Sequence, residues 1–175
     1  MGDKERELST EPAVVYLGLG SNLGNREDSL KKALELITHR LRLGKVSSIY
    51  DTEPIGETNQ PRFLNMVCEV STTLPPAAML ALLQGFELKL GRNPGRFGAP
   101  RPIDIDILFY GDQIVKSPGL IIPHPRLAER AFVLVPLAEI APDLVHPVLH
   151  KTVEELLNAI IGTQSVMKWY RREGA

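Results

Sequence analysis

The sequence predicts an α+β protein: an α/β sandwich with a central, mostly antiparallel sheet flanked by helices. Three observations carry this. Short β-branched and apolar runs, bounded by Gly, Pro and polar turn residues, recur along the chain. Between them lie segments with apolar residues at steps of three and four, the period of a helix buried on one face. Gly111-Asp112, after a β-branched run, starts a turn into a further short strand. Strand–helix–strand units in succession fit the split βαβ arrangement.

Met1 to Pro12 is polar and has little to bury, so a disordered tail is expected there. The run VVYLGLG from Val14 reads as a buried strand. Leu30, Ala33, Leu34, Ile37 and Leu41 then mark one helix face, with Asn25 placed to cap it. Val46–Thr52 and Phe63–Thr72 read as strands, separated by the loop TEPIGETNQPR, whose length in a small domain points to function. A second helix is expected from Thr73 to Leu90, entered through Pro75 and Pro76, where a missing N–H costs nothing. GRNPGRFGAPRP (91–102) is irregular, and Ile103–Tyr110 alternates as a strand should. Gly111-Asp112 leads to a short strand at Ile114–Lys116. Beyond it, Pro118, Pro123, Pro125, Pro136, Pro142 and Pro147 predict irregular chain, relieved by a helix near Thr152–Ile161 that Thr152 and Glu155 signal at its start. The domain is thus expected over 13–162, with 163–175 a C-terminal extension of open role.

Composition narrows the function classes. The 175 residues hold 20 Lys+Arg against 21 Asp+Glu, which offers no field for a nucleic acid or an anionic membrane. The one cysteine, Cys68, can form no intrachain disulfide and reads as a small buried hydrophobe. No apolar run reaches the ~18 residues that span a bilayer, and the N-terminus is unlike a signal peptide. A cytoplasmic protein is expected.

Asp104-Ile105-Asp106 carries the strongest chemical signal. Alternation on a strand puts both carboxylates on one face and Ile103, Ile105 and Ile107 on the other. Adjacent carboxylates repel, and a hard divalent cation such as Mg²⁺ would relieve the conflict; two solvated acids are the alternative. Arg92, Arg96 and Arg101 precede the pair on a glycine-punctuated segment, and their planar forks match phosphate oxygens. Mobile arginines beside a metal pair suit phosphoryl transfer. Gly18, Gly20 and Gly24 fit neither common nucleotide loop and read as a tight strand-to-helix turn with close packing. Phe63 and Asn65 share a strand face, but on the residues alone they read as a core aromatic and an exposed amide. His124 stands among prolines near Arg126 and Arg130, able to touch phosphate or to sit on the surface. His146 and His150 have metal-pair spacing, which Pro147 argues against.

The segments GLGSNLGNR, YDTEPIG, FLNMV, FELKLGR, PRPIDIDILFYG and PHPRLAERAFVLVPLAEIAP together resemble the 6-hydroxymethyl-7,8-dihydropterin pyrophosphokinases of folate biosynthesis, from about Val14 to Ile160. The resemblance implies a ferredoxin-like fold and a monomer that moves pyrophosphate from ATP to the pterin hydroxymethyl group, releasing AMP, with two Mg²⁺. It implies that Asp104 and Asp106 hold the metal, that Phe63 and Phe132 sandwich the pterin, and that Asn65 meets its polar edge beside Thr52, Pro54 and Ile55. It assigns Gln84, Glu87, Arg92, Arg96, Arg101, Ile107, His124 and Arg130 to ATP, with Arg92 and Arg101 also in the catalytic set. The family's arginine loop commonly carries a tryptophan, where this chain offers Phe97. Two other classes use some of the same residues: a simple Mg²⁺-dependent kinase releasing ADP, and a noncatalytic ligand- or RNA-binding module on the same sheet.

Overall fold

In the computed structural model, which describes residues 11–54, 59–93, 99–162 and 164–169, six strands make the middle layer. In chain order the elements are β1 (Ala13–Ser21), α1 (Arg26–Arg40), β2 (Arg42–Val46), β3 (Tyr50–Thr52), β4 (Phe63–Thr72), α2 (Pro76–Lys89), β5 (Asp104–Tyr110), β6 (Val115–Ser117), β7 (Leu120–Ile122), α3 (Ala131–Ile140), α4 (Val153–Ile160) and β8 (Val166–Lys168). The sheet runs β5-β1-β4-β3-β8, with β2 also on β4; β6 and β7 form a separate hairpin. Every pairing between these strands is antiparallel. This is the expected α+β sandwich, and the order of β5, β1, β4 and then β2 with β3 is ferredoxin-like.

Alternation divides each central strand between two layers. Val15, Leu17 and Leu19, Leu64, Met66 and Cys68, and Ile103, Ile105 and Ile107 pack on one face against Leu30, Ile37, Met79 and Leu83 of α1 and α2. Tyr16, Val67, Leu108 and Phe109 face the other way, onto Leu134 and Leu137 of α3 and Leu156 of α4. The part of this second face that α3 and α4 leave uncovered becomes the site. As expected, Asn25 caps α1 by accepting from the Asp28 N–H (3.1 Å), and Thr152 with Glu155 closes a capping box on α4.

Four expectations change. The strand predicted over 46–52 is two strands on the same partner, interrupted where the Ser47 hydroxyl accepts from the Val67 N–H at 2.9 Å, in place of a ladder bond. Gly18 and Gly20 lie inside β1, not in a turn. The chain around Pro136 is helical, not irregular. Losing one helical bond to proline costs ~3 kcal/mol, but α3 buries Val133, Leu134, Leu137 and Ile140, each worth ~1.5–3 kcal/mol, so burial wins. Finally, β8 lies beyond residue 162 and adds a strand to the sheet against β3.

Strand β5 carries a bulge. Leu17 pairs with Ile107, but Tyr16 pairs with Phe109, so Leu108 is an extra residue. Its carbonyl accepts from the His124 N–H at 3.0 Å, docking the chain after β7 onto β5. Among the described residues no helix is long and apolar enough to cross a membrane. Ile55, Arg96, Phe97 and residues 1–10 of the expected tail lie outside the described residues.

Candidate active site

Register alone assembles the floor of the site. Gly20 is opposite Asn65 on one side and Asp104 on the other, and Thr52 is opposite Phe63. Thr52 of β3, Phe63 and Asn65 of β4, and Asp104 and Asp106 of β5 therefore rise from one face of the sheet into a cavity of about 580 Å³. Arg92 and Arg101, His124, Arg130 and Phe132 complete its walls. Asn65 is buried, not exposed as the residues alone suggested, and donates to Thr52 Oγ1 at 2.5 Å, which orients the amide. A Cβ on Gly20 would stand 2.6 Å from Asn65 Oδ1, so only glycine leaves that amide its place.

The acid pair sits among arginines. Arg92 Nη1 donates to both Glu87 and Asp104, and Arg101 Nε donates to Asp104 Oδ2 at 3.2 Å. Burial, then the negative charges of Asp104 and Glu87, push the Asp106 carboxyl up to about 7, against the pull of Arg130 and Arg92. Burial also raises Glu87, with Arg92 opposing the shift. Two carboxylates do not by themselves enclose a cation, and among the described residues no group of three or more His, Cys, Asp or Glu does so. This donor set fits Mg²⁺, which takes one or two carboxylates and fills its octahedron with water and phosphate oxygens.

Arg101 and one further cation, Arg130, lie on aromatic faces at the cavity. Arg101 lies 5.1 Å from the centre of the Phe63 ring, and Arg130 lies 5.5 Å from that of Phe132. Burial, then the charge of Arg130, lowers His124 to about 4, so its ring is neutral at pH 7. Its Nδ1 accepts from the Arg126 N–H at 3.3 Å, which leaves the proton on Nε2 as a donor.

The structure thus brings together Thr52, Phe63, Asn65, Arg92, Arg101, Asp104, Asp106, His124, Arg130 and Phe132. Glu87 joins through Arg92, and Pro54 lines a small adjoining cavity. Gln84 is exposed on α2 and Ile107 is buried in the α1–α2 core; neither lines the cavity. His146 Nδ1 accepts from the Val148 and Leu149 N–H groups at 3.2 and 3.1 Å, the work of a turn-fixing side chain. Burial pushes the Cys68 thiol up to about 12, so it packs as a hydrophobe.

Sequence reasoning missed Asn22, which follows Gly20 and Ser21. Its Nδ2 donates to Gln60 Oε1 (3.1 Å) and the Pro61 carbonyl (3.3 Å), while its Oδ1 accepts from the Arg101 N–H (2.8 Å). One amide thereby ties the loop before β4 to the loop before β5. Its position in a glycine-rich motif was the available signal, but only tertiary contact shows the partners.

Comparison with known proteins identifies the family. A family model described as 7,8-dihydro-6-hydroxymethylpterin-pyrophosphokinase (HPPK) matches residues 16–142. The chain is 41% identical over 143 residues to the 2-amino-4-hydroxy-6-hydroxymethyldihydropteridine pyrophosphokinase of Aquifex aeolicus, covering 82% of this chain and 89% of that protein. It is 39% identical to the Bacillus subtilis protein of the same name, covering 92% and 93%. A folic acid synthesis protein of Pneumocystis carinii is 44% identical across 89% of this chain, which spans only 21% of that longer protein. In shape, the HPPK-DHPS of Plasmodium falciparum solved with pteroate has a TM-score of 0.71 at 19% identity, covering 90% of this chain and 45% of that one. That likeness supports the fold alone. With the match running through β1, β4, β5 and α3, which carry most of the cavity, the chain belongs to the 7,8-dihydro-6-hydroxymethylpterin-pyrophosphokinase family.

Proposed function

We propose that this chain transfers the pyrophosphoryl group of ATP to the hydroxymethyl oxygen of 6-hydroxymethyl-7,8-dihydropterin, as a step of folate biosynthesis. The observation that carries the reading is one cavity with two kinds of wall: Phe63, Asn65, Thr52 and Phe132 make one, and Asp104 and Asp106 with Arg92, Arg101, Arg126, Arg130 and His124 make the other. The first set suits a flat heterocycle with a polar edge. The second suits a polyphosphate.

In the reaction the alcohol oxygen bonds to the β-phosphorus, the bond from that phosphorus to the α-phosphate oxygen breaks, and AMP departs with the electron pair. The alcohol proton is lost to solvent or to phosphate. Asp104 and Asp106 would hold Mg²⁺, two ions in this reading, whose charge offsets that of the phosphates and of the leaving group. Arg92 and Arg101, which pair with Asp104 here, would be free to meet phosphate oxygens with Mg²⁺ held at that carboxylate. Arg130, and the Nε2–H of neutral His124, supply further donors. Glu87 keeps Arg92 oriented, and Phe63 and Phe132 hold the pterin plane while Asn65 reads its edge. The resemblance adds to the proposed set Ile55 and Arg96, which lie outside the described residues, and Gln84 and Ile107, which stand outside the cavity lining. No side chain needs to act as nucleophile; positioning two substrates in line supplies much of the rate.

The domain expected over 13–162 is proposed to extend through β8 to Lys168 and to act as a cytoplasmic monomer. ATP and the pterin are its proposed partners; the near-zero net charge offers no field for a nucleic acid or an anionic membrane. Incubation with ATP, Mg²⁺ and the pterin tests the reading: AMP and pterin pyrophosphate should appear in equal amounts, dependent on metal and pterin. ADP would instead favour a simple kinase, and no turnover by folded protein a binding module. Gly20→Ala should raise KM for the pterin about tenfold or more by displacing Asn65. Steady-state kinetics checks this, and an unchanged KM would remove Asn65 from the pterin edge.

A further inference from the structure

We propose that Gln164, outside the family-matched residues, is a positioning residue for the pterin wall; this rests on the reading of Phe132 given above. Its side chain brackets the start of α3. Oε1 accepts from the Ala131 N–H at 2.9 Å, and Nε2 donates to the Glu129 carbonyl at 2.7 Å. The two bonds span Arg130 and directly precede Phe132, so one amide fixes the backbone from which both of these cavity residues project.

The need for such a bracket follows from the helix. The first turn of any helix leaves N–H groups without internal partners. The N-cap residue of α3 is Arg130, which makes no side-chain cap bond, and no acid stands in the first turn. Gln164 supplies from across the fold the acceptor that a Ser, Thr or Asp cap ordinarily supplies locally.

Gln164 is itself held. Two residues on, Val166 pairs with Thr52, the residue that orients Asn65, and the strand continues to Lys168 opposite Tyr50. At its end the Trp169 N–H donates to the Ile49 carbonyl at 2.8 Å, and the Arg26 guanidinium lies 5.4 Å from the centre of the Trp169 ring. A second observation places the same segment against the pterin wall. Gln164, Ser165 and Val166 line a cavity of about 150 Å³ whose other walls are Thr52, Glu53, Pro54 and Phe132. Thr52 and Phe132 also line the large cavity, so they have the C-terminal segment on one side and the proposed substrate space on the other. Shifting the start of α3 would move Phe132 relative to Phe63 and Asn65 and so loosen the wall on which the pterin ring would stack.

The test uses the full chain with Gln164→Ala and Gln164→Glu. Gln164→Ala should weaken equilibrium binding of 6-hydroxymethyl-7,8-dihydropterin, measured by calorimetry with a non-hydrolysable ATP analogue and Mg²⁺, by ~10-fold, the scale of a lost cap. KM for the pterin should rise in parallel, and kcat at saturating pterin should change less than about twofold. Gln164→Glu keeps an acceptor for the Ala131 N–H and adds a favourable charge at the helix start but loses the donor to the Glu129 carbonyl, so it should recover part of the affinity. Trp169 is the single tryptophan, and its emission in the ligand-free variants reports whether β8 stays docked; it should be unchanged. Pterin affinity within twofold of the parent in Gln164→Ala overturns the inference. So does a loss accompanied by altered Trp169 emission and not recovered by Gln164→Glu, which would mark a merely structural role. A parent that releases AMP while Gln164→Ala behaves identically defeats this inference alone; a parent that neither binds pterin nor releases AMP defeats the underlying reading with it.

Discussion

Asp106→Asn is expected to reduce kcat by ~10³-fold or more, since the amide keeps the shape of the carboxylate but gives up its charge toward the metal and phosphates. Asp104→Ala should lose turnover to a similar extent. The asparagine variant carries a second signature. A carboxyl raised from its ordinary 3.8 to about 7 in the folded state binds a proton on folding at intermediate pH. Its penalty on stability is therefore absent below the lower value, grows as pH rises between the two, and is constant above the upper one. Metal-free Asp106→Asn should then melt higher than the parent by roughly 3–8 °C at pH 8, with a smaller gap at pH 4.5. Mg²⁺ should narrow the gap at pH 8 by stabilising the parent. Thermal melts across pH, with and without Mg²⁺, read this directly. A gap independent of pH would mean that burial, with Asp104 and Glu87, does not raise the Asp106 carboxyl.

Arg101→Ala should lower kcat/KM for ATP by ~10²–10³-fold. Its guanidinium both pairs with Asp104 and lies over Phe63, so it stands between the two halves of the cavity. Because a planar fork and a stacking face are both in use, Arg101→Lys should recover little. Steady-state kinetics of both variants decides the point: a lysine variant within threefold of the parent would reduce Arg101 to a simple positive charge.

Much of this was legible in the sequence because it depends on local periodicity. Asp104 and Asp106 alternate with isoleucines, so a strand could only present them together. Helices α1 and α4 announced their starts through Asn25 and through Thr152 with Glu155. What stayed hidden depends on contact between distant segments. Pro136 concealed α3, because the apolar contacts that outweigh the lost bond come from β1, β4 and β5. The break at Ser47 depends on a hydroxyl meeting Val67, which no local pattern foretells. Phe63 and Asn65 looked ordinary until β3 supplied Thr52 and β1 supplied a glycine with no side chain to obstruct the amide. The three residues of β8 carried too little pattern to announce a strand whose reason is the open edge of β3.

The extra residue in β5 has a consequence for how this protein tolerates change in length. Upstream of Leu108 the strand alternates acids with core isoleucines; at Leu108 and Phe109 two consecutive side chains enter the α3–α4 core, and Tyr110 returns to the other side. The ladder can be counted from either end, and the two counts differ by one residue. Deleting Leu108 would bring the counts into agreement, at the expense of the carbonyl that docks His124. An insertion or deletion on either side would invert one half against its layer: upstream, the acids would exchange places with isoleucines; downstream, Phe109 and Tyr110 would trade cores. Away from the bulge, then, a substitution along β5 changes one position, whereas a change in the number of residues moves a whole half of the strand to the wrong layer.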